Sequence, residues 1–148
     1  MNSLTLKVLM MVTFFSCNAK QQEQTNENNS GKISSTNCYR YIKNNDTIQL
    51  KINEENGIVK GTLMYNLYEK DKNIGTIEGR MNGLILIADY SFFSEGVKSV
   101  RQVAFKKSGS TFLEGFGESD DKNGKMIFKN MDSLDFTHPL TLNSYDCE

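Results

Sequence analysis

The chain has little of the material that metal-dependent or nucleophilic catalysis needs. Its 148 residues include one His, three Cys and no Trp. A single His is too few for a His-rich metal site and leaves little basis for a Ser-His-Asp triad. The net charge of −1 at pH 7 provides no basic surface for nucleic acid or for an anionic membrane. We therefore expect no enzymatic activity, no metal or other cofactor and no nucleic-acid partner.

The beginning of the chain contains only a short apolar run, from Val8 to Phe15. About 20 apolar residues are needed to span a bilayer, so this run fits the core of a secretory signal peptide instead. Ser16 directly before Cys17 resembles a bacterial lipobox, in which the cysteine receives a diacylglyceryl group before cleavage. The sequence predicts a lipoprotein signal peptide over residues 1–16 and lipidation of Cys17. An ordinary secretory signal that is cut elsewhere is the alternative.

The segment that follows Cys17 is almost devoid of apolar side chains. From Asn18 to Asn37 it has no aromatic residue, and Ile33 is its one large apolar residue. Such a composition cannot bury enough surface to offset the entropy lost on ordering. We predict a lipidated Cys and a disordered tether over residues 17–37, followed by one folded domain over residues 38–148.

From Cys38 onward the apolar residues recur with a period of two, which is typical of half-buried strands. Turn-forming dipeptides separate the runs, and Asn82-Gly83 is the strongest hairpin signal among them. Glycines inside the runs, as in Gly75-x3-Gly79, would let strands coil around a small barrel. A single helical turn is expected within 130–136. The predicted strands cover residues 38–42, 47–53, 58–69, 74–81, 84–93, 97–107, 111–119, 125–128 and 140–145.

Eight or nine sequential strands favour an all-β fold, a small antiparallel up-and-down β-barrel similar to that of lipocalins. Closure removes the strand edges on which chains aggregate. A two-sheet β-sandwich is the alternative. Cys38 and Cys147 stand at the two ends of the domain, and in an oxidising compartment such a pair favours a disulfide over two free thiols.

Residues 1–37 resemble the lipid-attachment region of Bacteroidota lipoproteins, with a short signal, Phe15-Ser16-Cys17 and an Asn- and Gln-rich tether. The stretch from Tyr65 to Phe105, with Ala88-Asp-Tyr-x-Phe92 and Arg101-x-Val-x-Phe105, is similar to small uncharacterised lipoproteins of that phylum. The resemblance implies a membrane-anchored protein of the cell envelope with a β-rich head, and it implies no activity. Only one acid stands in Asn18–Glu23, which favours a periplasm-facing position over surface display.

Arg101 is the most informative polar residue, because its strand parity matches that of Val103 and Phe105. It would then point into the barrel beside Ser99 and near the inward-facing Tyr65 and Tyr90. A guanidinium flanked by phenols can hold an anionic group, so Arg101, Tyr65, Tyr90 and Ser99 are candidate ligand-binding residues. The alternative is a buried structural pair between Arg101 and Glu95, Glu78 or Asp89. Glu114 and the acids after it are expected to be solvated.

Two functions remain open for a monomeric head of this kind. One is a binding module for a small hydrophobic or amphipathic ligand. The other is a structural or protein-interaction lipoprotein of the envelope with a packed barrel. Strand count does not separate them, because an eight-stranded barrel can be filled by its own side chains or hold one small ligand.

Overall fold

The computed structural model describes residues 36–147, which form an almost entirely β structure. The predicted signal peptide, the acylation site Cys17 and nearly all of the tether lie outside the described residues. A single 3₁₀ turn, Met131–Ser133, lies where one helical turn was predicted. The strands are β1 (Asn37–Lys43), β2 (Asp46–Glu55), β3 (Ile58–Asn66), β4 (Asn73–Asn82), β5 (Ile85–Ser94), β6 (Val97–Ser108), β7 (Thr111–Gly115), β8 (Ser119–Lys122), β9 (Lys125–Phe128) and β10 (Thr141–Tyr145).

Eight of these strands close into an antiparallel barrel, which confirms the predicted fold class. Strands β1 to β6 each pair with the next one in the chain, and β10 pairs with both β7 and β1 to complete the ring. Closure leaves no open edge within the ring, because the first and last strands bond to each other at Cys38–Tyr145 and Arg40–Asn143.

The predicted up-and-down order, in which each strand pairs with the next, is not kept in the last third of the domain. The β8–β9 hairpin lies outside the ring, and β9 runs parallel to β6 through pairs at Val100 and Arg101. Strand β8 has no apolar face to contribute to the core, since all four of its residues are polar. Strand β6 has room for β9, because β7 pairs with β6 only from Ala104 onward.

The inward faces of the ring carry a packed apolar core. The predicted alternation is confirmed, with Ile48, Leu50 and Leu63 fully buried. Aromatic edges interlock across the interior, as in the T-shaped contact of Tyr39 with Phe112 at 4.8 Å between ring centroids. The buried cluster comprises Tyr39, Ile48, Leu50, Ile52, Val59, Leu63, Tyr65, Ile77, Leu86, Ala88, Tyr90, Val103, Phe105, Phe112 and Leu142.

The two ends of the barrel differ. At one end, called here the terminal end, β1 begins and β10 finishes. There Cys38 and Cys147 form the predicted disulfide, with Cα atoms 5.4 Å apart and a sequence separation of 109. A loop of this length is stabilised by roughly 4–5 kcal/mol in the chain-entropy model. At the other end, called here the cavity end, lie the β1–β2 turn, the 67–72 loop and the β5–β6 hairpin tip.

Candidate functional site

A cavity of about 640 Å³ opens at the cavity end of the barrel. That volume lies within the range of small-molecule sites, roughly 300–1,000 Å³. The packed core forms its floor at Tyr65 and Val103. Its lining comprises Tyr65, Leu67, Lys70, Asp71, Asn73, Arg101, Gln102, Val103, Glu114, Gly115, Phe116, Gly117, Ser119, Met126, Phe128 and Leu140.

The walls of the cavity come from segments that leave the ring. Strand β7 stops at Gly115, and Phe116 then pairs with Asp135 through two backbone hydrogen bonds of 3.0 and 2.8 Å. Opposite, the backbone N–H of Tyr68 donates to an Asp46 carboxylate oxygen at 2.7 Å, which holds the 67–72 loop against the start of β2. These hydrogen bonds hold the two segments at the rim of the cavity, although neither segment is a strand of the barrel.

The β8–β9 hairpin forms the third wall. The Gln102 side-chain oxygen accepts from the Phe128 backbone N–H at 3.0 Å, and Lys125 forms an ion pair with Asp89. Met126 lies opposite Arg101 in the parallel pairing. The hairpin thereby adds Met126 and Phe128, two apolar side chains, to the cavity.

Arg101 lies at the cavity end with its guanidinium over aromatic rings. It pairs in register with Tyr90, and its Cζ is 5.0 Å from the centroid of the Tyr65 ring, 5.6 Å from that of Tyr90 and 5.7 Å from that of Phe92. The predicted contact with tyrosines is therefore confirmed. The predicted burial is wrong, because Arg101 is exposed: strand parity gives the face of a residue and not its height along the barrel.

Two of the three carboxylates proposed as partners of Arg101 pair with lysines instead. Asp89 pairs with Lys125, and Glu78 pairs with Lys60 at 3.1 Å. Among the described residues, no hydrogen bond or ion pair reaches the Arg101 guanidinium. Its donors are free to meet an anion in the cavity.

Glu114 is the one charged side chain that is buried among the described residues, with 5% of its surface exposed. The Tyr65 hydroxyl donates to its Oε1 at 2.5 Å. Its Oε2 is buried and has no hydrogen-bond partner among residues 36–147. The expectation that Glu114 is solvated is therefore wrong. Its alternation with Phe112 along β7 was the signal for an inward position.

The ionisation of this group of side chains reflects burial. Desolvation raises the pKa of the Glu114 carboxyl, while the hydrogen bond from Tyr65 and the positive charge of Arg101 act in the opposite direction. Burial also raises the pKa of the Tyr65 phenol far above its ordinary value, with the neighbouring Glu114 adding to the effect. Burial raises the pKa of Tyr90 to about 12. Both phenols are neutral at physiological pH.

The other predicted site residues lie close to the cavity without lining it. The Tyr90 ring stacks on Phe92 at 4.6 Å between centroids, and its buried hydroxyl has no partner among the described residues. Ser99 is half-buried and opposite Phe92 in the β5–β6 pair. Sequence reasoning missed Asn73, which lines the cavity and has a buried, unpartnered Oδ1.

Within the described part of the chain, no group of three or more His, Cys, Asp or Glu side chains could hold a metal ion. No helix of residues 36–147 is long and apolar enough to cross a membrane. Comparisons of the chain with protein families, with curated proteins and with solved structures found no match.

Proposed function

We propose that this chain is a lipid-anchored protein of the cell envelope whose barrel binds one small amphipathic ligand at its cavity end. The observation that carries the proposal is the 640 Å³ cavity, which combines apolar walls with a guanidinium that has no polar partner among residues 36–147. Leu67, Phe116 and Leu140 would contact the apolar part of the ligand. Arg101, backed by Lys70, would hold an anionic group at the rim.

A packed structural barrel is the second candidate, and the filled interior between the terminal end and Tyr90 favours it. Packing there leaves the cavity untouched, however, because the cavity lies beyond the core. Arg101 also does not behave as a structural plug: it is exposed and makes only ring contacts with described residues. Such contacts stabilise an exposed site by about 0.5–1 kcal/mol.

The envelope location is proposed from Ser16-Cys17 and the polar tether. Asn37, where the chain enters the barrel, lies at the terminal end, so the cavity opens at the opposite end of the domain. A protein held to a membrane through Cys17 would thus present its cavity away from the point of chain entry.

The binding proposal is tested with decanoate as the probe, on the exported Cys17→Ala chain purified without detergent. We expect saturable binding by calorimetry, and we expect Arg101→Gln to weaken it about tenfold or more, since a hydrogen bond to a charged group contributes roughly 1.5–3 kcal/mol. The melting temperature of Arg101→Gln should stay close to that of the parent, because no buried pair is broken.

Arg80→Gln is the matched control, since Arg80 is exposed on β4 and does not line the cavity. Its affinity for decanoate should equal that of the parent. Absence of binding at millimolar decanoate, or equal weakening by both Arg variants, contradicts the proposal.

A further inference from the structure

The cavity contains two oppositely charged groups that do not pair with each other. Arg101 stands over the face of the Tyr65 ring, and Glu114 accepts a hydrogen bond from the hydroxyl of the same tyrosine. One side chain therefore separates the cation from the anion. No ion pair links Arg101 to Glu114 among the contacts of residues 36–147.

Glu114, the inner of the two charged groups, lacks a hydrogen-bond donor for one of its carboxylate oxygens among residues 36–147. A buried carboxylate oxygen without a donor destabilises the folded state, because it has lost its hydration and gained no hydrogen bond. Glu114 Oε2 is such an oxygen, and Asn73 Oδ1 is a second buried acceptor lining the same cavity. Both atoms need hydrogen-bond donors, and the free guanidinium at the rim needs an acceptor. The cavity thus offers acceptors inside and a cationic donor outside.

We infer that the ligand head group is a zwitterion with a primary ammonium and an anionic group a few bonds apart, the ammonium meeting Glu114 and the anion meeting Arg101. This inference deepens the proposed function and rests on it. An ammonium supplies three donors, and Glu114 Oε2 and Asn73 Oδ1 are buried acceptors without a partner among residues 36–147. In this site each charge of a zwitterion also meets a group of opposite charge, which limits the free-energy cost of desolvating the ligand.

Two classes of molecule have such a head group: apolar α-amino acids and phospholipids with an ethanolamine head group. The apolar walls formed by Leu67, Val103 and Phe116 accommodate the tail of either one. The shared requirement is the ammonium, so each pair of probes compares a molecule that has this group with one that lacks it.

The first pair of probes is 2-aminodecanoate and decanoate, measured by calorimetry on the exported Cys17→Ala chain below their micelle concentrations. We expect the amino acid to bind about tenfold tighter or more, which is about 1.4 kcal/mol. Glu114→Gln keeps an acceptor for Tyr65 and removes the negative charge. It should abolish most of that preference while leaving decanoate affinity nearly unchanged.

The second pair is lysophosphatidylethanolamine and lysophosphatidylglycerol, whose head groups differ in the ammonium. A preference for the ethanolamine lipid that Glu114→Gln removes supports the inference and assigns the lipid source. A preference in the first pair assigns the amino-acid source. Glu118→Gln is the control, because Glu118 is exposed and pairs with Lys129 at 3.2 Å.

The inference is overturned if neither pair shows an ammonium preference. If decanoate binds in an Arg101-dependent way but an ammonium brings no gain in affinity, only the zwitterion inference is contradicted. The proposed function is then still supported. If none of the four probes binds, both the zwitterion inference and the proposed function are contradicted.

Discussion

At the scale of single residues, the balance between burial and charge at Glu114 sets the chemistry of the site. The carboxyl is 5% exposed and has one hydrogen-bonded oxygen. Its neighbours Tyr65 and Arg101 favour the ionised form, and desolvation outweighs them, so its pKa is raised. Burial of this kind is costly for stability, and proteins retain it mainly where a site uses the group.

The raised pKa makes stability depend on pH in a defined direction. The folded state binds the Glu114 proton more tightly than the unfolded state, whose pKa is near 4.5. Stability due to this group is therefore fully present below pH 4.5 and is lost as the pH rises through the folded-state pKa. Thermal melts from pH 4 to 8 should show the parent chain losing stability relative to Glu114→Gln as the pH rises.

Tyr65→Phe is the informative companion variant. It removes the hydrogen bond that lowers the pKa of Glu114, so the loss of stability should extend to higher pH than in the parent. A difference between parent and Glu114→Gln that does not change with pH would refute this account of the carboxyl.

At the scale of elements, the close approach of β4 and β5 depends on inward-facing glycine. Gly79 pairs with Ala88, and a Cβ at Gly79 would lie 2.1 Å from the Ile87 carbonyl oxygen. Gly75 meets Ser91 in the same way, at 2.1 Å. The glycines predicted to allow tight coiling do so because the neighbouring strand occupies the space of their side chains.

Gly79→Ala should therefore lower the free energy of unfolding by about 1–3 kcal/mol, as overpacking does. Gly115→Ala is the comparison, because its Cβ would meet the Phe136 ring at 2.3 Å, and a side chain can rotate away. Gly115→Ala should therefore lower the free energy of unfolding by less than Gly79→Ala does. Urea denaturation of the two variants measures the difference, and equal costs would show that the backbone contact at β4 and β5 is unimportant.

The cavity is also a property of elements, since it exists where the regular barrel stops. The 116–140 connection, which includes the β8–β9 hairpin, replaces what would otherwise be a short turn between β7 and β10. It extends apolar side chains beyond the ring at Phe116 and Met126, both exposed. Clustered exposed apolar side chains are typical of binding sites.

At the scale of the whole molecule, the disulfide and the antiparallel ring bring both ends of the domain to the terminal end. Cys38 and Cys147 close the loop there, and the cavity lies at the other end. A membrane anchor placed before Asn37 would leave the cavity facing away from the barrel end that the tether enters. The expected anchor is the acylated Cys17.

Fractionation of cells tests that anchor. We expect the wild-type chain in the membrane fraction, resistant to high-salt washing, because acyl chains contribute about 0.8 kcal/mol for each buried CH₂ group. Cys17→Ala should move the chain to the soluble fraction. A wild-type chain that is already soluble would contradict acylation at Cys17.

The sequence by itself determined every strand except β8, the inward faces of the strands and the pairing of the domain ends. Alternation places Ile48, Leu50 and Leu63 on buried faces because successive side chains of a strand point to opposite faces of the sheet. Turn dipeptides such as Asn82-Gly83 are equally local signals. Closure by Cys38 and Cys147 followed from their positions alone.

Tertiary structure alone decided where the ring ends and where the site lies. Strand β10 inserts between β7 and β1, and β9 pairs in parallel with β6, through contacts between residues far apart in the chain. Alternation placed Arg101 on the inward face, whereas Glu114 was expected to be solvated, and the heights of both residues along the barrel depend on those contacts. Glu114 is therefore buried beneath the cavity while Arg101 is exposed at its rim. The site exists because the packed core ends between them.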